Sequence, residues 1–242
     1  MAGASMGYRD HRIVDLTQEL YDGQPVFIGH PETKVWPCMT HEESARLPTF
    51  KDGMSYAANV IQVCEHGPTH VDSISHLDPR PEAPSIEKIP LDWFYTSGVC
   101  VDFPEVPART YITADMVKRR MDHYRLTPPR GGTFLFTTGH FLKYYPKREY
   151  CTEYAGLDRT AAEYLYGKCG ILNVGQDAPS IDNAADRGFP CHLVCRELQR
   201  LNTENLCNLE AVAGQAFLFI GLPLKIRNGT GSPIRAIAVL NA

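Results

Sequence analysis

His66-Gly67-Pro68-Thr69-His70-Val71-Asp72-Ser73-Ile74-Ser75-His76 holds three of the chain's nine histidines and one aspartate within eleven residues. Imidazole and carboxylate together are the donors that divalent first-row metals accept, and two histidines with one carboxylate leave positions open for water and substrate. His66, His70 and Asp72 supply that set. The four-residue step from His66 to His70 matches the helical pair of zinc proteases, but Gly67-Pro68 does not suit a helix interior and no Glu follows His66. The segment therefore reads as a strand end running into a tight turn that points His66 and His70 toward one place. Thr69 is suited to anchor that turn through backbone hydrogen bonds. A single loop histidine is ordinarily a solvated turn residue, and three with an aspartate at this spacing are not explained that way.

Elsewhere in the chain, short runs rich in β-branched and aromatic residues predict strands at 12–16, 56–64, 99–103, 133–137, 170–174, 216–221 and 234–240. Three helices are expected. One runs over 113–125 with Thr113 as N-cap, before Pro128-Pro129. Another covers 158–167 and ends at Gly167, and the third covers 190–200, with Pro190 in its first turn and His192 near its start. Eighteen prolines and nineteen glycines spread along the chain favour many short elements over a helix bundle. The 79–84 stretch, rich in proline, reads as an ordered loop beside the motif. No internal repeat or low-complexity segment interrupts the pattern. The fold class expected is α/β, a single domain over residues 1–242 with a mixed β core flanked by helices.

A formal net charge of −4, with no cluster of Lys or Arg, argues against nucleic acid as a partner. No apolar run is long enough to span a bilayer, and residues 1–10 lack the apolar core of a secretion signal, so a cytoplasmic protein away from membranes is expected. The eight cysteines then read as reduced, mostly buried thiols. Cys191 and Cys195 have no second pair at zinc-site spacing. Asn228-Gly229-Thr230 matches a glycosylation acceptor by pattern alone.

The motif resembles that of the putative cyclase family, which includes bacterial kynurenine formamidases and isatin hydrolases and carries H-x-G-T-H-x-D-x-x-x-H. Every histidine and the aspartate match, while Pro68 stands at the glycine position. The resemblance extends to Ile13-Val14-Asp15-Leu16-Thr17, to residues 175–182, to His192, to Glu204-Asn205-Leu206 and to Gly231-Ser232-Pro233-Ile234-Arg235. It implies a swivelling β/β/α, cyclase-like fold and a homodimer or higher homo-oligomer. It also implies one of two arrangements at the site. In the formamidase-like one, His192 and Glu204 join Asp72 around a second ion, zinc or manganese. In the isatin hydrolase-like one, a single ion, often manganese, suffices and the later residues serve a water and proton network. Asp177 and Asp182 fit caps or loop braces.

A divalent ion lowers the pKa of a bound water from about 15.7 to about 7 and polarises a carbonyl, which is the chemistry of hydrolysis. His76, four residues beyond Asp72, is the candidate proton carrier. The expected function is a metal-dependent hydrolase that opens a cyclic amide or lactone or cleaves an aryl formamide. The alternatives are a kynurenine formamidase proper and a non-catalytic, metal-stabilised binding module. No G-x-S-x-G elbow supports a serine hydrolase, and Cys64, the candidate thiol nucleophile, reads as packing on a buried strand. A small aromatic or cyclic substrate is expected. Trp36, Tyr56, Trp93, Phe94 and Phe141 are candidate pocket walls, and the extended segments 40–55 and 140–156 favour ring opening over formamide cleavage.

Overall fold

Alternation of side chains along the central strands sets up the architecture. The computed structural model describes residues 11–241, so the 1–10 segment read for a secretion signal lies outside the described residues. In chain order the elements are β1 (His11–Asp15), β2 (Lys34–Met39), α1 (His41–Ala45), β3 (Ala58–Gln62), β4 (His70–Asp72), β5 (Tyr95–Asp102), β6 (Tyr111–Ile112), α2 (Ala114–Tyr124), β7 (Thr133–Thr137), α3 (His140–Tyr144), β8 (Gly156–Leu157), α4 (Arg159–Ala162), β9 (Asn173–Gln176), α5 (Pro190–Leu198), β10 (Leu201–Glu204), β11 (Ala216–Ile220), β12 (Gly231–Pro233) and β13 (Ile237–Asn241). Nine strands form one mixed sheet in the order β1-β13-β11-β5-β7-β9-β10-β4-β12. Its centre, β5-β7-β9-β10, is parallel, and both flanks pair antiparallel.

Val99 and Val101 of β5, Phe134 and Phe136 of β7 and Val174 of β9 face a core shared with Val117 and Met121 of α2, Ala161 and Ala162 of α4, and Val194 and Cys195 of α5. Cys100 and Leu135, one residue out of step, face a second core with Val71, Leu201, Phe217, Phe219 and Ala238. Strands buried on both faces read as continuous apolar runs, which is why 133–137 is found where the sequence predicts it. The α/β class with a mixed β core and flanking helices is as expected.

Thr113 caps α2, accepting from the Met116 amide, and Arg125 closes it in the left-handed region. The second predicted helix starts after Asp158 as expected, widens into a π-helical stretch over Glu163–Cys169 and stops at Gly170 rather than Gly167, because Gly170 takes the left-handed cap (φ 71°). The predicted strand at 56–64 shortens to β3 and pairs only with β2, away from the main sheet, leaving Ile61 57% exposed. The strand read at 170–174 lies at 173–176, and the one read at 234–240 starts at Ile237. Strands β4, β10 and β12 were not expected, since Asp72, Asn202, Glu204, Gly231 and Pro233 are of types that strands disfavour.

Candidate metal centre

The site is built on the antiparallel pair β4 and β10, in which His70 lies opposite Glu204 and Val71 opposite Thr203. Side chains two apart on a strand share a face. His70 and Asp72 therefore project together with Asn202 and Glu204, while Val71 and Leu201 turn to the core behind. All four polar side chains are buried. On the other side β12 places Gly231 opposite Asp72. A Cβ at Gly231 would come 2.7 Å from His66 Cε1 and 3.0 Å from His66 Nδ1, so this position needs glycine for the ring to approach.

His66 arrives from a turn in which the Gly67 amide bonds to the Cys64 carbonyl, and the Gly67–Pro68 peptide is cis. The Thr69 hydroxyl donates to the Asn205 carbonyl at 2.5 Å and accepts from the Gln18 amide at 2.9 Å. Thr69 does anchor the turn, and it does so to residue 205, directly after Glu204. His192 enters from the first turn of α5. Asp182 accepts from the backbone amides of Cys191 and His192 and from His192 Nδ1, so one carboxylate serves the exposed amides of the helix start and orients the ring. Asp177 accepts from the Thr137 hydroxyl and from the amides of Thr138 and Phe141. Both aspartates are braces.

The six residues singled out in the sequence meet at one place. His66 Nδ1 lies 2.6 Å from Asp72 Oδ1, and its Nε2 lies 2.9 Å from Thr230 Oγ1. His70 Nδ1 donates to the Pro68 carbonyl at 2.8 Å, which turns Nε2 toward Asp72 Oδ1 (3.3 Å) and Glu204 Oε2 (3.5 Å). His76 ends a short 3-10 turn. Its ring sits 3.9 Å from that of His66, with Nε2 3.9 Å from Asp72 Oδ2, and its side chain is 29% exposed. His192 Nε2 is 3.5 Å from Asp72 Oδ2 and 3.2 Å from Glu204 Oε1.

Burial alone would raise the Asp72 carboxyl, but the imidazoles of His76 and His66 and hydrogen bonds from His192 and His66 outweigh it, and the group is held well below the usual carboxylate range. Burial disfavours the charged form of His192, yet the carboxylates of Asp182, Asp72 and Glu204 prevail and its pKa rises well above normal. His76 moves the other way: burial and the neighbouring His66 and His192 outweigh Asp72 and lower it.

The donors fit a divalent cation. His70 Nε2 is buried without a hydrogen-bond partner, although it faces two carboxylate oxygens. Two overlapping sets, His66–Asp72–His76 and His70–Asp72–Glu204, each bring three possible ligand atoms within 4.8 Å of one another, and Asp72 belongs to both. His76 thus stands within ligand reach as well as in the place expected of a proton carrier.

His66, His70, His76, His192 and Glu204 floor a cavity of about 220 Å³. None of the five aromatic residues expected as its walls lines it, and neither do segments 40–55 and 140–156. The walls come from Phe27, Leu77, Pro179 and Phe189, with His30 beside His66 at a ring distance of 6.0 Å. Phe94 is instead core, and Tyr56 packs on Phe50. Phe27, His30 and Phe189 were not expected in the pocket because they carry no local sequence pattern; the only signal was that His30 is a histidine.

A model of the family described as "Putative cyclase" matches residues 14–183. The chain belongs to this cyclase family. Among curated relatives it is 26% identical to cyclase-like protein 2 of Arabidopsis thaliana, over 96% of this chain and 85% of that protein. It is 24% identical to a kynurenine formamidase of Salinibacter ruber, over 93% and 96%. Among solved structures, an isatin hydrolase bound to the product analogue thioisatinate superposes with a TM-score of 0.84 at 20% identity, covering 96% of this chain and 94% of that one. Isatin hydrolase A of Labrenzia aggregata gives 0.82 at 22%, with the same coverage. The cyclase-family fold is thereby shown. Among the described residues no helix is long and apolar enough to cross a membrane.

Proposed function

We propose that this member of the cyclase family is a metal-dependent hydrolase that opens a small cyclic amide or lactone, with aryl formamide cleavage, as in the kynurenine formamidase relatives, as the second reading. The observation that carries it is the unpartnered, buried His70 Nε2 aimed at two carboxylates on the floor of a cavity with apolar walls. His66, His70 and Asp72 would hold the ion, zinc or manganese, with Glu204 Oε2 in reach. When bound, the ion would supply a Lewis acid for the carbonyl and acidify water.

The chain's own groups do the rest. Asp72 and Glu204 provide negative charge that, among the described residues, no Lys or Arg pairs with. His76, kept neutral near pH 7 by its surroundings, is placed to take a proton from the attacking water and return it to the leaving nitrogen or oxygen. Phe27, Leu77, Pro179 and Phe189 offer flat apolar contact to an aromatic or cyclic substrate and exclude water from one side of it. The isatin hydrolase and kynurenine formamidase relatives support this substrate class.

The test is a pair of variants and a substrate panel. His70→Ala should lose metal content and turnover together. His76→Ala should keep its metal while turnover of whichever of isatin, a dienelactone or N-formylkynurenine the wild type accepts falls by roughly 10²–10⁴-fold. Loss of metal from His76→Ala with activity restored on reconstitution would place His76 among the ligands. A wild-type protein free of metal and fully active would refute the proposal.

A further inference from the structure

Asn202 projects from β10 on the same face as Glu204 and inserts its amide between the two carboxylates of the centre. Nδ2 lies 2.9 Å from Asp72 Oδ2 and 3.0 Å from Glu204 Oε1, with His192 Nε2 at 3.4 Å. The opposite assignment of the amide would set its carbonyl oxygen against two carboxylates, so the NH2 group, with its two donors, is the end that fits. Glu204 Oε1 also accepts from the Ile181 amide at 3.3 Å.

The centre is therefore divided. Asp72 Oδ1 and Glu204 Oε2 face His66 and the unpartnered His70 Nε2, whereas Asp72 Oδ2 and Glu204 Oε1 are bridged by a neutral donor. A divalent ion shared by the second pair would need both oxygens at roughly 2.0–2.2 Å, and the amide spans the gap between them. His192, whose other nitrogen is committed to Asp182, completes neither of the three-ligand sets found among the described residues.

From this we infer that the Asn202 amide stands in for a second cation, so that the chain binds one divalent ion on the His70 side and uses His192 as an oriented hydrogen-bonding ring and not as a ligand. The inference rests on the metal-dependent reading above and sets its stoichiometry. Asn202 is a positioning residue: it holds the Asp72 and Glu204 carboxylates so that one oxygen of each is presented to the ion.

The decisive measurement is metal bound per chain, by elemental analysis and native mass spectrometry, after the chelator-stripped full-length protein is reloaded with Mn²⁺ alone and, separately, Zn²⁺ alone. Wild type should hold one equivalent, and His192→Ala should still hold one. Asn202→Ala and the isosteric Asn202→Asp should each rise to two equivalents, with a metal-dependent gain in Tm that exceeds wild type's. Two equivalents in wild type, or loss of the ion from His192→Ala, overturns the inference while leaving the metal-dependent reading intact. One equivalent in a folded Asn202→Asp does the same. A wild-type protein that binds no ion overturns both readings together.

Discussion

Gly231→Ala probes how closely β12 must approach the motif. The new methyl would lie 2.7 Å from His66 Cε1, 3.0 Å from its Nδ1 and 3.1 Å from the Val71 carbonyl. An ordinary carbon contact begins near 3.4 Å, so the His66 ring must withdraw by about 0.7 Å. It has little room to do so. Asp72 holds Nδ1 at 2.6 Å, Thr230 holds Nε2 at 2.9 Å, and the His76 ring lies 3.9 Å away. Overpacking of this kind costs about 1–3 kcal/mol of stability, and a displacement approaching 1 Å at a reacting group costs on the order of 10²-fold in rate. The expected outcome is a folded protein with turnover reduced 10- to 100-fold and weaker Mn²⁺ affinity, read by steady-state kinetics across a metal titration and by urea unfolding. Wild-type turnover and affinity in a folded Gly231→Ala protein would show that His66 is not held where ligation requires it.

Acid sensitivity should come in part from His140, which is buried and bonds through Nε2 to the Tyr150 carbonyl at 2.8 Å. Burial pushes its pKa down to about 4, below the value of about 6.5 expected unfolded, so between these values the unfolded chain binds the extra proton. Stability from this group is complete above about pH 6.5 and is lost as pH falls toward 4, by at most about 3 kcal/mol. Urea unfolding at pH 7 and pH 4.5 should show a smaller difference in His140→Gln than in wild type, and equal differences would clear His140. A homodimer or higher homo-oligomer is expected, in keeping with the exposed Trp36, Val60 and Ile61 of the β2–β3 ribbon. Light scattering that returns a monomer mass independent of concentration would count against it.

Much of the centre was legible in the sequence because its donors crowd into one stretch. His66, His70 and Asp72 fall within seven residues, and the turn around Gly67 is signalled by Gly-Pro, so local chemistry alone nominates the ion site. Strands β5 and β7 of the parallel centre were equally legible, since two-sided burial leaves unbroken apolar runs such as Phe134-Leu135-Phe136. Helix starts at Thr113 and Asp158 were visible through their capping side chains, but the stop at Gly170 was not, because a π-helical stretch carries the chain past Gly167.

The register of β4 against β10, which sets His70 opposite Glu204 and brings Asn202 beside Asp72 across 130 residues of chain, comes from long-range packing. Neither strand has the composition of a strand; each is held by its neighbours in the sheet, and no local pattern encodes that pairing. The same is true of the pocket walls. Phe27 and His30 come from the loop after β1 and Phe189 from the residue before α5, and their meeting depends on long-range packing rather than on periodicity. The groups able to bind an ion can be named from residue order, because ligand chemistry belongs to residue types and short spacings. The fold decided which oxygen of each carboxylate is left for it, because that depends on which donor from a distant strand reaches the other.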